Sequence, residues 1–518
     1  MNSFSAPPRD HVVVIGAGMG GLACAIDLAA AGLAVTVVER AARPGGKMRE
    51  VMVDGAAIDA GPTVFTMRWV FDALFEAAGS ALESRLTLQP LEVLARHAWS
   101  ETERLDLFAD IDRSADAIGH FAGAAEARGY RTFSAESRRV FETLRDTFLT
   151  EQRTGPIGLS QRIGLAHLPA LFGLRPFETL WSALGDHFRD PRLHQLFGRY
   201  ATYCGSSPFA SPATLMLIAH VEQAGVWAVE GGMQRLADAL EQLAISLGVR
   251  FHYGAHVERI IMEGGRASGV TLADGERIAV HAVVANADAA AITAGAFGGD
   301  VASRAARRSP PQRSLSAVTW ALHAETQGFP LERHNVFFSG DYRAEFDDIF
   351  GHARTPRAPT VYVCAEDRGA EGIAVSGAER LLVLINAPAN GDQASFGEQE
   401  LLQWETRVFD HLKRCGLTVN RRAEATVVTT PERFNRLFPN TGGALYGQAT
   451  HGWAAAFQRP GSRTRIPGLY QAGGGAHPGA GVPMAALSGR LAAAQLLKDR
   501  ASTYRFQKGV IAGGTSTP

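Results

Sequence analysis

Between residues 12 and 39 the chain reads VVVIGAGMGGLACAIDLAAAGLAVTVVE, and few folds accommodate that order of residue types. The short apolar run at residues 12–15 suits a strand buried on both faces of a parallel sheet. Gly16, Gly18 and Gly21 follow in G-x-G-x-x-G spacing, then a helix-period segment, then a second apolar run at residues 35–38 that stops at Glu39. The unit predicts strand, tight turn, helix and a second parallel strand.

Each part has a reason to hold a dinucleotide. Gly16 permits the turn, Gly18 lets main chain approach a pyrophosphate, and Gly21 lets helix and strand pack closely, so a helix N-terminus offers N–H groups and a positive dipole end. Glu39 lies 23 residues after Gly16, where a strand-end carboxylate accepts hydrogen bonds from ribose hydroxyls and repels a 2′-phosphate. The motif by itself does not separate FAD from NAD.

A chain of 518 residues is long enough for two or more domains. A formal net charge of -1 gives no global field for nucleic acid, and none is predicted as a partner. Cys24, Cys204, Cys364 and Cys415 are far apart and lack zinc spacing, so reduced thiols in a cytosolic setting, and no metal site, are expected. The opening MNSFSAPPRDH lacks an apolar core and predicts no secretion signal.

Arg40 follows Glu39, and then comes ARPGGKM, where Gly45 and Gly46 allow close main-chain approach and Lys47 brings positive charge towards phosphate. It is not a P-loop, because Ala41 and Met48 stand where that motif needs Gly and Ser or Thr. The stretch IDAGPTVFT turns sharply at Gly61-Pro62. From residue 69 to about residue 199 the apolar spacing is mainly helical. Residues 152–177 contain no Asp or Glu, while Arg153, Arg162, His167 and Arg175 punctuate an apolar sequence too short and broken to span a bilayer. Two readings stay open for it: a segment lying in the interface of an anionic leaflet, or a helical cap over a core. Trp181, Phe197, Tyr200, Tyr203 and Phe209 either line an apolar passage or belong to that core.

The nucleotide-binding pattern resumes near residue 229 with EGGMQRLADALEQLAISLG, followed by alternating runs that bring Val257 to the site. Short β-rich runs from about residue 315 to 428 predict a separate sheet walling a substrate cavity. Near the end, GLYQAGGGAHPGAGVPMAALSGRLAAAQ predicts a strand, a glycine loop and a helix starting around Gly481-Val482-Pro483, where proline costs no hydrogen bond. This second helix N-terminus can face the anionic part of a cofactor or a reduced flavin ring. His477 in that loop is a hydrogen-bonding spacer or a proton shuttle.

Together these segments resemble the amine-oxidase-like flavoprotein superfamily. IGAGMGGLACAIDLAAAG, PGGKM, DAGPTVFT, YCGSSPFASPATL, GVWAVEGGM, VVANADA and above all GAHPGAGVPMAALSG are similar to the bacterial carotenoid desaturases of the phytoene desaturase type, over roughly residues 10–498. Within that family GPTVFTMRWVFDALF most resembles the branch of hydroxyneurosporene and methoxyneurosporene desaturases. The resemblance implies an α/β fold: a Rossmann-like FAD-binding domain from residues 1–75, 229–300 and 440–498, a helical substrate and membrane-contact region at 76–228, a β-rich substrate domain at 301–439, and a flexible tail at 499–518. It implies non-covalent FAD, with Gly16, Gly18 and Gly21 at the pyrophosphate, Glu39 at the adenosine ribose with Arg40 beside it, and Gly46 and Lys47 at the phosphates. Gly61, Pro62 and Thr63 would border the flavin, Val257 would meet adenine, and Gly474, Val482, Pro483 and Met484 the ribityl and ring end. The activity implied is desaturation of a lipid-soluble, hydroxylated or methoxylated acyclic carotenoid, at the cytoplasmic face of a membrane, with oxygen or a quinone as final electron acceptor. Arg162 is the one catalytic candidate, although Ile163 stands where relatives suggest an acid. Phytoene desaturation, and isomerisation or saturation of a carotenoid on the same scaffold, are the alternatives, followed by a flavin-bearing carotenoid carrier and an amine oxidase.

Overall fold

The computed structural model describes residues 10–164, 173–305, 312–369 and 376–511. At its centre His11–Ile15 pairs in parallel with Ala34–Val38 on one side and Ala282–Ala285 on the other. Leu469–Gln471 extends the sheet beyond Ala282–Ala285, and Arg250–His252 beyond Ala34–Val38, so three separate stretches of sequence supply five parallel strands. Val12 and Val14 face a layer of helices with Leu22, Ile26 and Ala486. Val13 and Ile15 face a small antiparallel sheet of Val257–Glu263, Arg266–Leu272 and Arg277–Ala279. Covering both faces is what demands an unbroken apolar run in the strand.

In the helical layer Met19–Ala30 lies against Val482–Ile511 at glycines. A Cβ at Gly489 would sit 2.0 Å from the carbonyl oxygen of Gly20, so these two helices meet backbone to backbone.

The largest sheet has eight strands, and its path runs Leu417–Asn420, Ser316–Gly328, Glu379–Ala387, Val361–Ala365, His334–Phe337, Val93–Ala98 and Arg104–Phe108, with Thr426–Thr429 pairing Ser316–Gly328. The β-runs expected after residue 315 are all there. Val93–Ala98 and Arg104–Phe108 correct the reading of residues 76–228 as helical. Val93–Ala98 takes the open edge of His334–Phe337 and Arg104–Phe108 then pairs with it, Leu105 and Leu107 buried between more exposed Arg104, Asp106 and Phe108 in a two-residue period. Helix Ile111–Ala122 packs on Arg104–Phe108, Ala124–Leu144 on that helix, and Leu217–Gln223 on Ala124–Leu144 in turn.

The tail expected from residue 499 is also corrected. Val482–Ile511 is helical throughout, and residues 512–518 lie outside the described residues. Asp499 explains part of the extension: it accepts from the Tyr470 hydroxyl at 3.0 Å and pairs with Arg463, which fastens the helix to the edge strand. Among the described residues no helix is long and apolar enough to cross a membrane.

Candidate cofactor site

Two glycine segments converge at one edge of the parallel sheet, because both helices that follow them start from the C-terminal ends of its strands. Gly16 turns with φ +95°, and a Cβ at Gly21 would lie 2.0 Å from its carbonyl oxygen, so both positions require glycine. Met19–Ala30 then begins after Gly18 with no capping side chain and no acid in its first turn. That end is electropositive and suited to an anion. Val482–Ile511 likewise carries no acid in its first turn, and Val482 and Pro483 are buried there with Met484 partly exposed. The segments touch: a Cβ on Gly20 would lie 2.8 Å from Gly473 Cα.

Asn286 sits between them. Its Nδ2 donates to the Gly16 carbonyl at 3.1 Å, and a Cβ on Gly473 would lie 2.6 Å from its Oδ1.

Glu39 is buried at the end of Ala34–Val38. Its Oε2 accepts from Ala17 N–H at 2.7 Å and its Oε1 from Ala41 N–H at 2.8 Å, which fixes the carboxylate while each oxygen keeps accepting capacity for a ribose hydroxyl. The Ala255 N–H donates to the Glu39 carbonyl at 2.9 Å and brings Val257 close. The Val257 side chain itself is buried with Val13 and Ile15, so an adenine would meet the main chain around it. Arg40 is exposed and donates to the Arg436 carbonyl at 3.2 Å.

The G-G-K turn lies directly on the first glycine loop. Gly45 N–H donates to the Ala17 carbonyl at 2.9 Å, and a Cβ on Gly46 would come within 3.1 Å of Gly18 Cα. Lys47 turns away from the role expected of it. Its Nζ donates to the carbonyls of Leu445 at 2.7 Å and Ala444 at 3.3 Å. Burial lowers its pKa, and the nearby Asp288 carboxylate opposes that. The ammonium thus ties the loop at 441–447 to the nucleotide edge. Gly61 packs on the same turn, since its Cβ would strike the Lys47 carbonyl at 2.1 Å. Pro62 is exposed, and Thr63 shares a 2.7 Å hydrogen bond with the Tyr362 hydroxyl.

On the far side Arg459 is buried and joins two loops, donating to the carbonyls of Tyr446 at 3.2 Å and Gln448 at 3.0 Å in one and of Gly474 at 3.1 Å in the other. His477 Nε2 lies 3.0 Å from the Phe148 carbonyl and 2.9 Å from that of Glu151. Both are acceptors, so Nε2 carries the proton, and burial takes the imidazole down to about 4. The spacer reading therefore describes His477. Arg162 donates to the Thr147 carbonyl at 3.1 Å and faces Glu151 at 3.9 Å, with 30% of its side chain exposed. Both partners belong to the helix end beside His477, and the contacts are structural. Phe197 is core, stacked on Phe188 at 4.7 Å.

Asn286, Asp288 and Arg459 escape the sequence reading. Asn286 had a signal, a polar residue straight after the buried strand Ala282–Ala285, at the edge where ligands of parallel sheets bind. Arg459 lies among many arginines and had none.

A glycine cradle, two helix starts without an acid in the first turn and an oriented strand-end acid fit a dinucleotide with a second anionic or reducible end. The family described as flavin containing amine oxidoreductase matches residues 19–497, and the chain belongs to that family. It is thus a flavin-dependent oxidoreductase, with a Rossmann-like domain.

It is 54% identical to hydroxyneurosporene desaturase of Rubrivivax gelatinosus, across 99% of this chain and 98% of that one. It is 46% identical to hydroxyneurosporene desaturase of Cereibacter sphaeroides, across 95% and 99%. Among solved structures an oxidoreductase from Methanosarcina mazei aligns with a TM-score of 0.56 at 17% identity, across 93% and 99%, a likeness of fold.

Proposed function

We propose that the chain is an FAD-dependent desaturase that introduces a carbon–carbon double bond into a hydroxylated or methoxylated acyclic carotenoid of the hydroxyneurosporene type. The observation that carries this reading is 54% identity to a hydroxyneurosporene desaturase over nearly the whole of both chains. FAD, held without a covalent bond, supplies the acceptor for the hydride that leaves one saturated carbon while a proton leaves its neighbour. Glu39 and the first glycine loop would hold the adenosine and pyrophosphate, and Asn286 fixes that loop against the last one. The start of Val482–Ile511 would hold the ring end, and its dipole would favour negative charge there. No carbonyl activates the reacting C–H bonds, so orientation against the ring and exclusion of water are the main contributions of the protein. Oxygen or a quinone takes the electrons onward.

The carotenoid is reached from a membrane surface, which we place on the cytoplasmic side. Residues 165–172 of the candidate segment 152–177 lie outside the described residues. On either side of them Ile157 is 77% and Phe177 81% exposed, and Trp453, 49% exposed, stands edge-on to Phe177 at 5.8 Å. Apolar side chains beside Arg153 and Arg162 suit an anionic interface.

Expression in a host accumulating hydroxyneurosporene tests the reading. Purified protein should release FAD on denaturation, and the product should weigh two hydrogens less and absorb further to the red. A product of unchanged mass would sink desaturation in favour of isomerisation.

A further inference from the structure

We infer that a buried polar cluster around Arg199 receives the hydroxyl group at the end of the carotenoid and sets a preference for hydroxylated over unsubstituted chains. This rests on the desaturase reading and specifies its substrate.

The short helix Arg199–Cys204 starts in the cluster and ends at Gly205, where a Cβ would touch Tyr446 and Ser314, beside the carbonyls that hold Lys47. Arg199 is buried, with Nη1 3.3 Å from the Tyr203 hydroxyl and Nη2 3.9 Å from Glu222 Oε1. Glu222 is buried too and accepts from Tyr203 at 2.7 Å and from Tyr200 at 2.5 Å. Burial opposes the charge of Arg199, but Tyr203, Glu222 and Tyr200 more than offset it. That much is a satisfied network.

Its rim is not satisfied. Arg199 Nε, His97 Nε2, His334 Nε2 and the Tyr342 hydroxyl are buried without a partner. Val336 pairs with His97 in the parallel register, so His334 and His97 share one face of the sheet, and the Arg199 charge reaches both of them and Tyr342. Burial, reinforced by that charge, keeps His97 neutral, and its Nδ1 sits 3.2 Å from the Leu105 carbonyl. Nδ1 therefore carries the proton, and Nε2 is a bare acceptor. His334 is held at about 3 by burial and then by Arg333 and Arg199, so it too is neutral. Phe338 stands between His97, at 6.0 Å, and Tyr342, at 6.1 Å, so the surroundings are otherwise apolar.

Buried unpaired donors and acceptors are costly and rarely clustered. A hydroxyl both donates and accepts, so it can answer an arginine N–H and a bare imidazole nitrogen together. A methoxyl only accepts, and a methyl does neither. The position is apt, because His334 Nδ1 meets the Tyr362 hydroxyl at 2.8 Å and Tyr362 meets Thr63, in the turn placed at the flavin.

The test uses the flavin-loaded protein in detergent and two carotenoids that differ only by hydroxyl or hydrogen at the chain end. Binding is read from the shift of carotenoid absorption, and kcat/KM is measured in parallel. The hydroxylated chain should bind about tenfold to a hundredfold tighter. Tyr342→Phe removes one unpaired oxygen without emptying space, and His97→Phe one unpaired nitrogen; each should bring the ratio towards one. A wild-type ratio near one, or a ratio kept in both variants, overturns the inference. Should a variant fail to hold flavin, the wild-type binding ratio decides. Wild type that desaturates both chains equally refutes only the hydroxyl role, whereas wild type that desaturates neither refutes the underlying function.

Discussion

The side-chain amide of Asn286 donates to the Gly16 carbonyl at 3.1 Å while its oxygen faces Gly473, so one residue from the middle of the chain joins the first glycine turn to the last. Asn286→Leu keeps the volume and removes the link, leaving the half-buried Gly16 carbonyl unpaired. We expect FAD affinity to fall about tenfold, equivalent to about 1.4 kcal/mol, with the flavin-free protein losing at most about 1–3 kcal/mol of stability from the unpaired carbonyl. Fluorescence of flavin released on dilution measures this, and unaltered affinity would remove Asn286 from the site.

Gly489→Val places carbon where the Gly20 carbonyl already is, and neither helix backbone can yield. Overpacking of this kind costs at least about 1–3 kcal/mol. The midpoint of urea denaturation should drop, and flavin retention with it, since the same helix carries Val482 and Pro483. A variant as stable as the wild type would contradict the backbone contact.

His477 gives a pH dependence of defined sign. Its folded pKa, about 4, lies below the ordinary 6.5, so the unfolded chain takes up a proton first as pH falls. Its contribution is complete above about pH 6.5 and is lost progressively down to the folded value, in total on the order of 3 kcal/mol. His334, at about 3, acts in the same direction. His477→Gln retains an N–H donor for the Phe148 and Glu151 carbonyls but has nothing to titrate. Denaturation at pH 7 and pH 5 should show the variant losing less stability than the wild type, and equal losses would refute the assignment.

Membrane attachment through residues 152–177 predicts that Ile157→Ser with Phe177→Ser weakens binding to anionic vesicles by more than about tenfold, because each buried apolar side chain contributes roughly 1.5–3 kcal/mol. Salt should release part of the wild-type protein by screening Arg153 and Arg162. Co-sedimentation reports both effects. Wild type that ignores vesicles would leave the exposed residues without this role.

The nucleotide half was legible because its strands are buried on both faces, and so appear as unbroken runs at residues 12–15 and 35–38 beside glycines with steric reasons to be there. The strands Val93–Ala98 and Arg104–Phe108 were not, since five or six residues in a mainly helical stretch carry little signal, and His334–Phe337, which joins Val93–Ala98 to the rest of the sheet, lies far along the chain. Lys47 shows another limit. Its position in a G-G-K turn is visible, but whether its ammonium meets phosphate or the Ala444 and Leu445 carbonyls depends on a loop about 400 residues away. The neutral state of His97 is equally hidden, because it follows from tertiary burial.

The edge strand Leu469–Gln471 and the helix after it come from the last tenth of the polypeptide, yet they complete the cradle begun at Gly16. A ribosome must therefore pass residue 469 before the pocket exists. Loading of the prosthetic group is a post-synthesis event, and a nascent chain stalled before residue 469 should emerge colourless.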